Sequence, residues 1–317
     1  MAPGFLLDAG AEDDEHPDYH SGPRGPPVQR ALCKLVDESV QAGLRKHFED
    51  IDAIADVHRL DDLANPATGH GWMWSLAPQH GMIIEDEREF TEAVRVRLGA
   101  GGPPDCALCG CCGRAQLDSA GSHASWCSLG EATAAHNTIR DALFEFAAAA
   151  DPATELEPED LIPSRPRARP ADVLTPAVIP GRVAALDVGV TSSAVSSDDD
   201  ATVAMFQRKV DEREPFRSEL EAQNIVYRPC VWTCFGRPHS AAVSATLAIA
   251  RKLARRRGCT AVKSIWRSIL NTIGVCLARR LARMSLACWP KALQSDPAAT
   301  AAAAADRHWQ CDAIAGT

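Results

Sequence analysis

Apolar residues recur at helical spacing from position 28 to 63, where Leu32, Leu35, Val36, Val40, Leu44 and Phe48 mark the repeat. A shorter helical stretch over 90–98 stops at the Gly-Pro-rich AGGPP, and another runs through AAHNTIRDALFEFAAAA after Gly130. Residues 151–170 form a proline-rich connector. Beyond it the period shortens to that of strands over 171–174 and 183–190. SSDDDA then reads as a loop, and 202–223 reads as a helix that Pro215 must break or restart. IVYRPCVWT is a strand by its β-branched and aromatic content. Two long helices over 241–257 and 261–288 complete a mixed α/β pattern without internal repeats.

These signals divide the chain into five parts. Residues 1–27 are a disordered acidic lead-in and 28–104 a helical N-terminal region, followed by a Cys/His knuckle at 105–130. Residues 131–290 form the main α/β domain with basic C-terminal helices, and 291–317 an Ala-rich loose tail. With aromatics at 5% and 21 residues each of Gly and Pro, parts of the chain are expected to stay outside any core. No apolar run is long enough to cross a bilayer, and the acidic start lacks the basic n-region of a secretory signal. The expectation is a soluble intracellular protein whose 12 cysteines serve as thiols and metal ligands rather than disulfides.

The net charge of −9 hides an asymmetry. Residues 1–100 carry 19 acidic against 9 basic residues, whereas 222–295 hold 13 basic residues and no acid. Solvated helix faces usually mix signs, so this stretch points to a polyanion. Arg251, Lys252, Arg255, Arg256 and Arg257, with Arg279, Arg280 and Arg283, are candidate phosphate contacts. Such contacts position a nucleic acid without reading its sequence.

Cys106, Cys109, His123 and Cys127 follow the spacing Cys-x2-Cys-x13-His-x3-Cys. That pattern offers zinc four tetrahedral ligands and no open position, so the expected role is structural. Gly110 and Gly113 suit the tight turn of the knuckle. Cys111 and Cys112 could replace Cys109, and a loop of chance cysteines is the bland alternative. Cys33, Cys230, Cys234, Cys259, Cys276, Cys288 and Cys311 read as small buried residues or free thiols.

Asp172 opens a strand just after a proline, and Asp187 interrupts the otherwise apolar ALDVGV. A carboxylate there is costly unless something binds it. Two acids on neighbouring strands could share a divalent ion, and Lys209 on the next helix could orient the attacking water or offset charge on a phosphate. The plain alternatives are a turn or cap role for Asp172 and a solvated Lys209.

The ordered series EFTEAVRVRLG, CALC…H…C, AHNTIRDALF, RPADVLTP…GRVAALDVGVTS and QRKVDEREPFRSELEAQNIVYRPCVWTCFGRPH, with the closing basic helices, resembles a known family over about residues 90–290. The family is the restriction-endonuclease-like C-terminal region of non-LTR retrotransposon polyproteins. The resemblance implies a PD-(D/E)xK-type mixed sheet flanked by helices, preceded by a zinc knuckle. It implies Asp172 and Asp187 as the catalytic acids and Lys209 as a lysine displaced from the strand, where Gly189 stands. It also implies an HN-x2-R helix made by His136, Asn137 and Arg140, structural or DNA-contacting. Arg213 stands where an aromatic residue is often found, and Ala135 where an arginine is usual.

The implied function is a Mg²⁺-dependent DNA endonuclease that nicks its target so that the 3′-hydroxyl primes reverse transcription, in the nucleus or the cytoplasm, the function favouring the nucleus. The partner is DNA, or RNA. The alternative is a zinc-knuckle nucleic-acid-binding module whose catalysis has decayed. No Tyr-x-Asp-Asp reverse transcriptase motif is present, which suggests a piece or remnant of a larger polyprotein. Nothing resembles a nucleophile elbow or phosphate loop, the signs of a small-molecule hydrolase.

Overall fold

The computed structural model describes residues 27–73, 83–99, 107–117, 122–127, 132–192 and 200–289. The acidic lead-in up to residue 26, the Ala-rich tail, Trp74 and Cys106 lie outside the described residues. The chain divides into two compact units, 1–43 and 44–317. In the first, the described structure is the opening of helix α1 (Pro27–Asp50), along which Leu35, Val36 and Val40 are exposed. The second holds the remaining elements.

The single helix expected over 28–63 is two. Asp52 takes a left-handed φ of 56°, which ends α1 before α2 (Ile54–Ala64) begins. Helix α3 (Glu87–Arg97) starts where the Asp86 carboxylate accepts the Glu89 N–H at 2.7 Å, and α4 spans Ala132–Ala150.

Four strands form one mixed sheet in the order β1 (Glu155–Leu156), β2 (Val173–Thr175), β3 (Val183–Thr191), β4 (Ile225–Thr233). The first three are antiparallel neighbours, and β3 and β4 run parallel. A parallel pair needs a crossover, here α5 (Ala201–Arg213), a 3₁₀ turn at Glu214–Phe216 containing Pro215, and α6 (Arg217–Ala222). β1 falls inside the expected connector. Two residues are too few for any periodicity to reveal, and the strand exists because β2 offers it an edge.

Alternation along β3 sorts its side chains. Ala184, Leu186 and Val188 enter the main core with Ile139 and Leu143 of α4, Ile249 of α7 (Ser240–Arg256) and Ile269 of α8 (Val262–Cys288). Each large aliphatic side chain buried this way stabilises the fold by about 1.5–3 kcal/mol. Ala185 faces the other way, into a smaller cluster with Leu220 and Ile225 that is partly covered by Leu174 and Tyr227. Asp187 and Gly189 share that second face by the same alternation.

The start of α5 is fixed firmly. Asp200 accepts the Thr202 N–H at 2.8 Å, and the Arg237 guanidinium, beyond β4, reaches Asp200 at 2.5 Å and Asp62 at 2.6 Å. No helix among the described residues is long and apolar enough to cross a membrane.

Gly274, in mid-α8, faces the loop after α2. A Cβ there would lie 2.2 Å from the Gly69 carbonyl oxygen, and a Cβ on Gly69 would lie 1.9 Å from that of Leu270. Helix propensity alone would make Gly274→Ala stabilising by about 1 kcal/mol. The backbone contact reverses the sign, so the substitution is expected to destabilise by about 1–3 kcal/mol. Denaturant unfolding that finds Gly274→Ala as stable as the wild type would contradict this packing.

Candidate functional site

The β2–β3 register pairs Val173 with Leu186, and one further step brings Asp172 alongside Asp187. Asp172 N–H donates to the Leu186 carbonyl at 2.9 Å. Its side chain serves the ladder too, Oδ2 accepting the Val188 N–H at 2.6 Å. His136 of α4 places Nε2 3.4 Å from the same oxygen. Oδ1 of Asp172 accepts no hydrogen bond among the described residues.

Asp187 is reached from the opposite face. Lys209 Nζ of α5 donates to Oδ1 at 2.8 Å, and the Tyr227 hydroxyl donates to Oδ2. The lysine gets there across Gly189. A Cβ on that residue would lie 2.8 Å from Lys209 Cε and 3.3 Å from a Val231 methyl, so an added side chain would make the end of the lysine shift. All three residues are largely buried, with side chains 16% (Asp172), 12% (Asp187) and 16% (Lys209) exposed.

Electrostatics follow from these contacts. Burial pushes the Asp172 carboxyl up, but hydrogen bonding and the charge of His136, the Val188 N–H and Lys209 outweigh it and hold the group below its usual range. Its hydrogen bond to Asp172 raises the His136 pKa against the opposing effect of burial. Tyr227 is shifted up by burial and by the neighbouring Asp187 charge, so it remains a proton donor. Arg213 lies over the Tyr227 ring, its guanidinium carbon 5.9 Å from the centroid.

Asp172, Asp187 and Lys209 thus come together, and His136 joins them. Sequence reasoning passed over Tyr227, which reads as an ordinary strand aromatic in IVYRPC; its position two residues from the strand start carries no chemical signal.

The other candidate cations lie apart. Arg140 is ion-paired with Asp141 at 2.7 Å and with Glu157. Lys252 pairs with Asp151 at 2.7 Å, and Arg256 donates to the Ala149 carbonyl at the end of α4 at 2.9 Å. Arg279 and Arg283 both approach Glu89 of α3, at 3.5 and 2.6 Å. Arg280 is buried, and its Nε and Nη1 find no hydrogen-bond partner among the described residues. Arg251, Arg255 and Arg257 are exposed.

The second cluster is built from thiols. Residues 107–117 fold back on themselves, Leu117 N–H meeting the Ala107 carbonyl and Cys109 N–H that of Ala115, each at 2.8 Å. Gly113 closes the turn at φ 64°. A 3₁₀ turn, His123–Ser125, presents His123 and leads to Cys127. One ligand atom each from Cys109, His123, Cys127 and Cys288 lies within 4.8 Å of the others, all four residues being buried. Soft sulfur and imidazole donors so gathered can hold a metal such as zinc. His123 Nδ1 is buried without a hydrogen-bond partner, as a nitrogen kept for a metal would be.

Cys288, read from the sequence as a small buried residue or free thiol, is buried and also joins this cluster. It is the last residue of α8 and lies far along the chain from the knuckle, beyond the reach of spacing arguments. Gly110 explains the contact. Its N–H donates to the Cys288 carbonyl at 2.7 Å, and a Cβ would meet the Trp289 carbonyl oxygen at 2.4 Å. This glycine serves close approach, whereas Gly113 serves the turn.

No protein-family model matches the chain, and a search of curated proteins finds no match either.

Cys288→Ala is expected to weaken metal retention by more than the roughly 10–100-fold that loss of an outer partner costs. Gly110→Ala should weaken it too, whereas Cys259→Ala, at an exposed position, should not. Competition against a chromogenic chelator under reducing conditions measures this. Equal retention by Cys288→Ala and wild type would remove Cys288 from the site.

Proposed function

We propose that this chain is a metal-dependent DNA endonuclease domain of retrotransposon origin, which nicks target DNA to prime reverse transcription. The observation that carries the reading is Lys209 crossing Gly189 to meet Asp187, with Asp172 alongside. An acid, a second acid and an ammonium group converge, although the strand position that would carry the lysine in a PD-(D/E)xK nuclease has no side chain. The family resemblance supplies the substrate class, and a restriction-endonuclease-like fold is compatible with a mixed four-stranded sheet flanked by helices.

Asp172 and Asp187 are hard oxygen donors of the kind Mg²⁺ takes, and Oδ1 of Asp172 accepts from no donor among the described residues. Bound there, the ion would polarise the scissile phosphate and lower the pKa of a water molecule. The protein's own groups do the rest. His136 and the Val188 N–H orient the Asp172 carboxylate. Tyr227 holds one oxygen of Asp187, which leaves Lys209 to present its charge from the other side. That ammonium orients the attacking water or offsets the negative charge that grows on the phosphate.

The thiol cluster is assigned a structural role, with zinc held by Cys109, His123, Cys127 and Cys288. Filling all four positions with protein leaves no place for a reacting water. Structural zinc is worth about 10 kcal/mol or more, enough to order a segment with little apolar core.

One observation favours a second reading, a nucleic-acid-binding module that no longer cleaves. Both oxygens of Asp187 are already satisfied within the chain, by Lys209 and Tyr227.

Nicking of supercoiled plasmid with Mg²⁺ separates the two. The wild type should convert plasmid to the open circle, Asp187→Ala should not, and Lys209→Ala should be slower by roughly 10²–10³. Salt-sensitive binding by a wild type that does not nick supports the module.

A further inference from the structure

An open cavity of about 960 Å³ lies where β3 begins, between the end of α4, the β2–β3 connection and the last turns of α7. Arg182, Arg251, Lys252, Arg255 and Arg256 line it, and Asp151 is the one acid among the lining residues. Asp151 is already taken by Lys252. The guanidinium groups of Arg182 and Arg251 form no ion pair among the described residues, and that of Arg255 meets just the Arg251 carbonyl, at 3.4 Å. The cavity wall therefore carries positive charge that no described residue neutralises. Arg251 and Arg255 stand one helical turn apart, about 6 Å along the axis, a separation like that of successive phosphates in a nucleic-acid strand.

This cavity is not where the carboxylates are. Val183, in its wall, precedes Asp187 by four residues, about 13 Å of extended strand. Helix α7 packs on the core face of the sheet, whereas Lys209 approaches Asp187 from the other. Arg182 links the two regions. It also lines a second cavity, of about 220 Å³, with Arg213, Arg217 and Tyr227, the last being the donor to Asp187.

We propose that the Arg182–Arg251–Arg255 cavity is an anchoring site that grips the phosphate backbone of duplex DNA away from the scissile bond, with Arg182 at the turn toward Tyr227 and Asp187. The choice of DNA as occupant rests on the nuclease reading; the demand for a polyphosphate rests on the cavity's own charge. Because the grip is remote from the reacting phosphate, it governs affinity and its salt dependence rather than the chemical step.

The test is fluorescence anisotropy of a labelled duplex, titrated with salt in buffer free of divalent ions. The full chain is compared with an Arg182→Ala/Arg251→Ala/Arg255→Ala variant. Each lost phosphate contact flattens the slope of log affinity against log salt by about 0.9, so the variant should be shallower by roughly 2–3. Replacing the same three residues by Lys should restore most of the slope, which a merely misfolded protein could not do. Arg88→Ala, at an exposed site elsewhere, should leave it unchanged. A triple variant with the wild-type slope, or a wild type that shows no salt-dependent binding, overturns the proposal. Plasmid nicking at saturating DNA keeps the two readings apart. A flattened slope with no nicking by the wild type sinks the nuclease while the anchor stands. Full nicking with an unchanged slope does the opposite.

Discussion

A carboxylate in the middle of a buried strand is the feature around which this domain is arranged. Asp187 stands among alanine, leucine and valine, where an uncompensated charge would cost several kcal/mol. Two donors from separate elements meet it, Lys209 from α5 and Tyr227 from β4. Removing one partner from a pair this buried costs about 3–5 kcal/mol. Their arrival constrains the fold in turn. The Asp200 cap and the Arg237 fork fix the start of α5, and Gly189 leaves room for the lysine in its present path. Fold and candidate chemistry thus share one interaction.

The thiol cluster imposes a second constraint from the far end of the chain. Cys288 closes α8, the longest helix described, and its carbonyl accepts the Gly110 N–H of the knuckle. A helix end has carbonyls without partners, and here one is satisfied by the segment that supplies the thiols. A metal at this cluster would join residues 109 and 288 and hold α8 against the knuckle. That helix supplies much of the main core, so the cluster's influence reaches the sheet through packing.

Much of this was legible in the sequence, for identifiable reasons. IVYRPCVWT became β4 without change, and Pro215 fell in the 3₁₀ turn between α5 and α6, because local chemistry decides both. Asp187 stood out as a charge in an apolar strand, whereas Asp172 and Lys209 stood out only together with it, as an acid on a neighbouring strand and a lysine on the next helix. What stayed hidden depends on contacts between distant residues. β1 is strand through its neighbour alone, Tyr227 joins the candidate site through where its hydroxyl ends, and Cys288 joins the thiol cluster through the path of α8. The charge run between 222 and 295 looked like one basic face. In the fold it separates into Arg279 and Arg283 paired with Glu89, a buried Arg280, and Arg251 and Arg255, which meet no acid among the described residues. Sign counts along a chain cannot distinguish a cation that meets an acid elsewhere from one that does not.

Under the proposed function, Asp172 and Asp187 bind one divalent ion between them, beside Lys209. Anomalous diffraction from crystals soaked in Mn²⁺ tests it directly. The expected result is a peak within coordinating distance of both carboxylates, absent in Asp187→Asn. Saturating Mn²⁺ with no peak there, and with the Lys209–Asp187 contact intact, would contradict it.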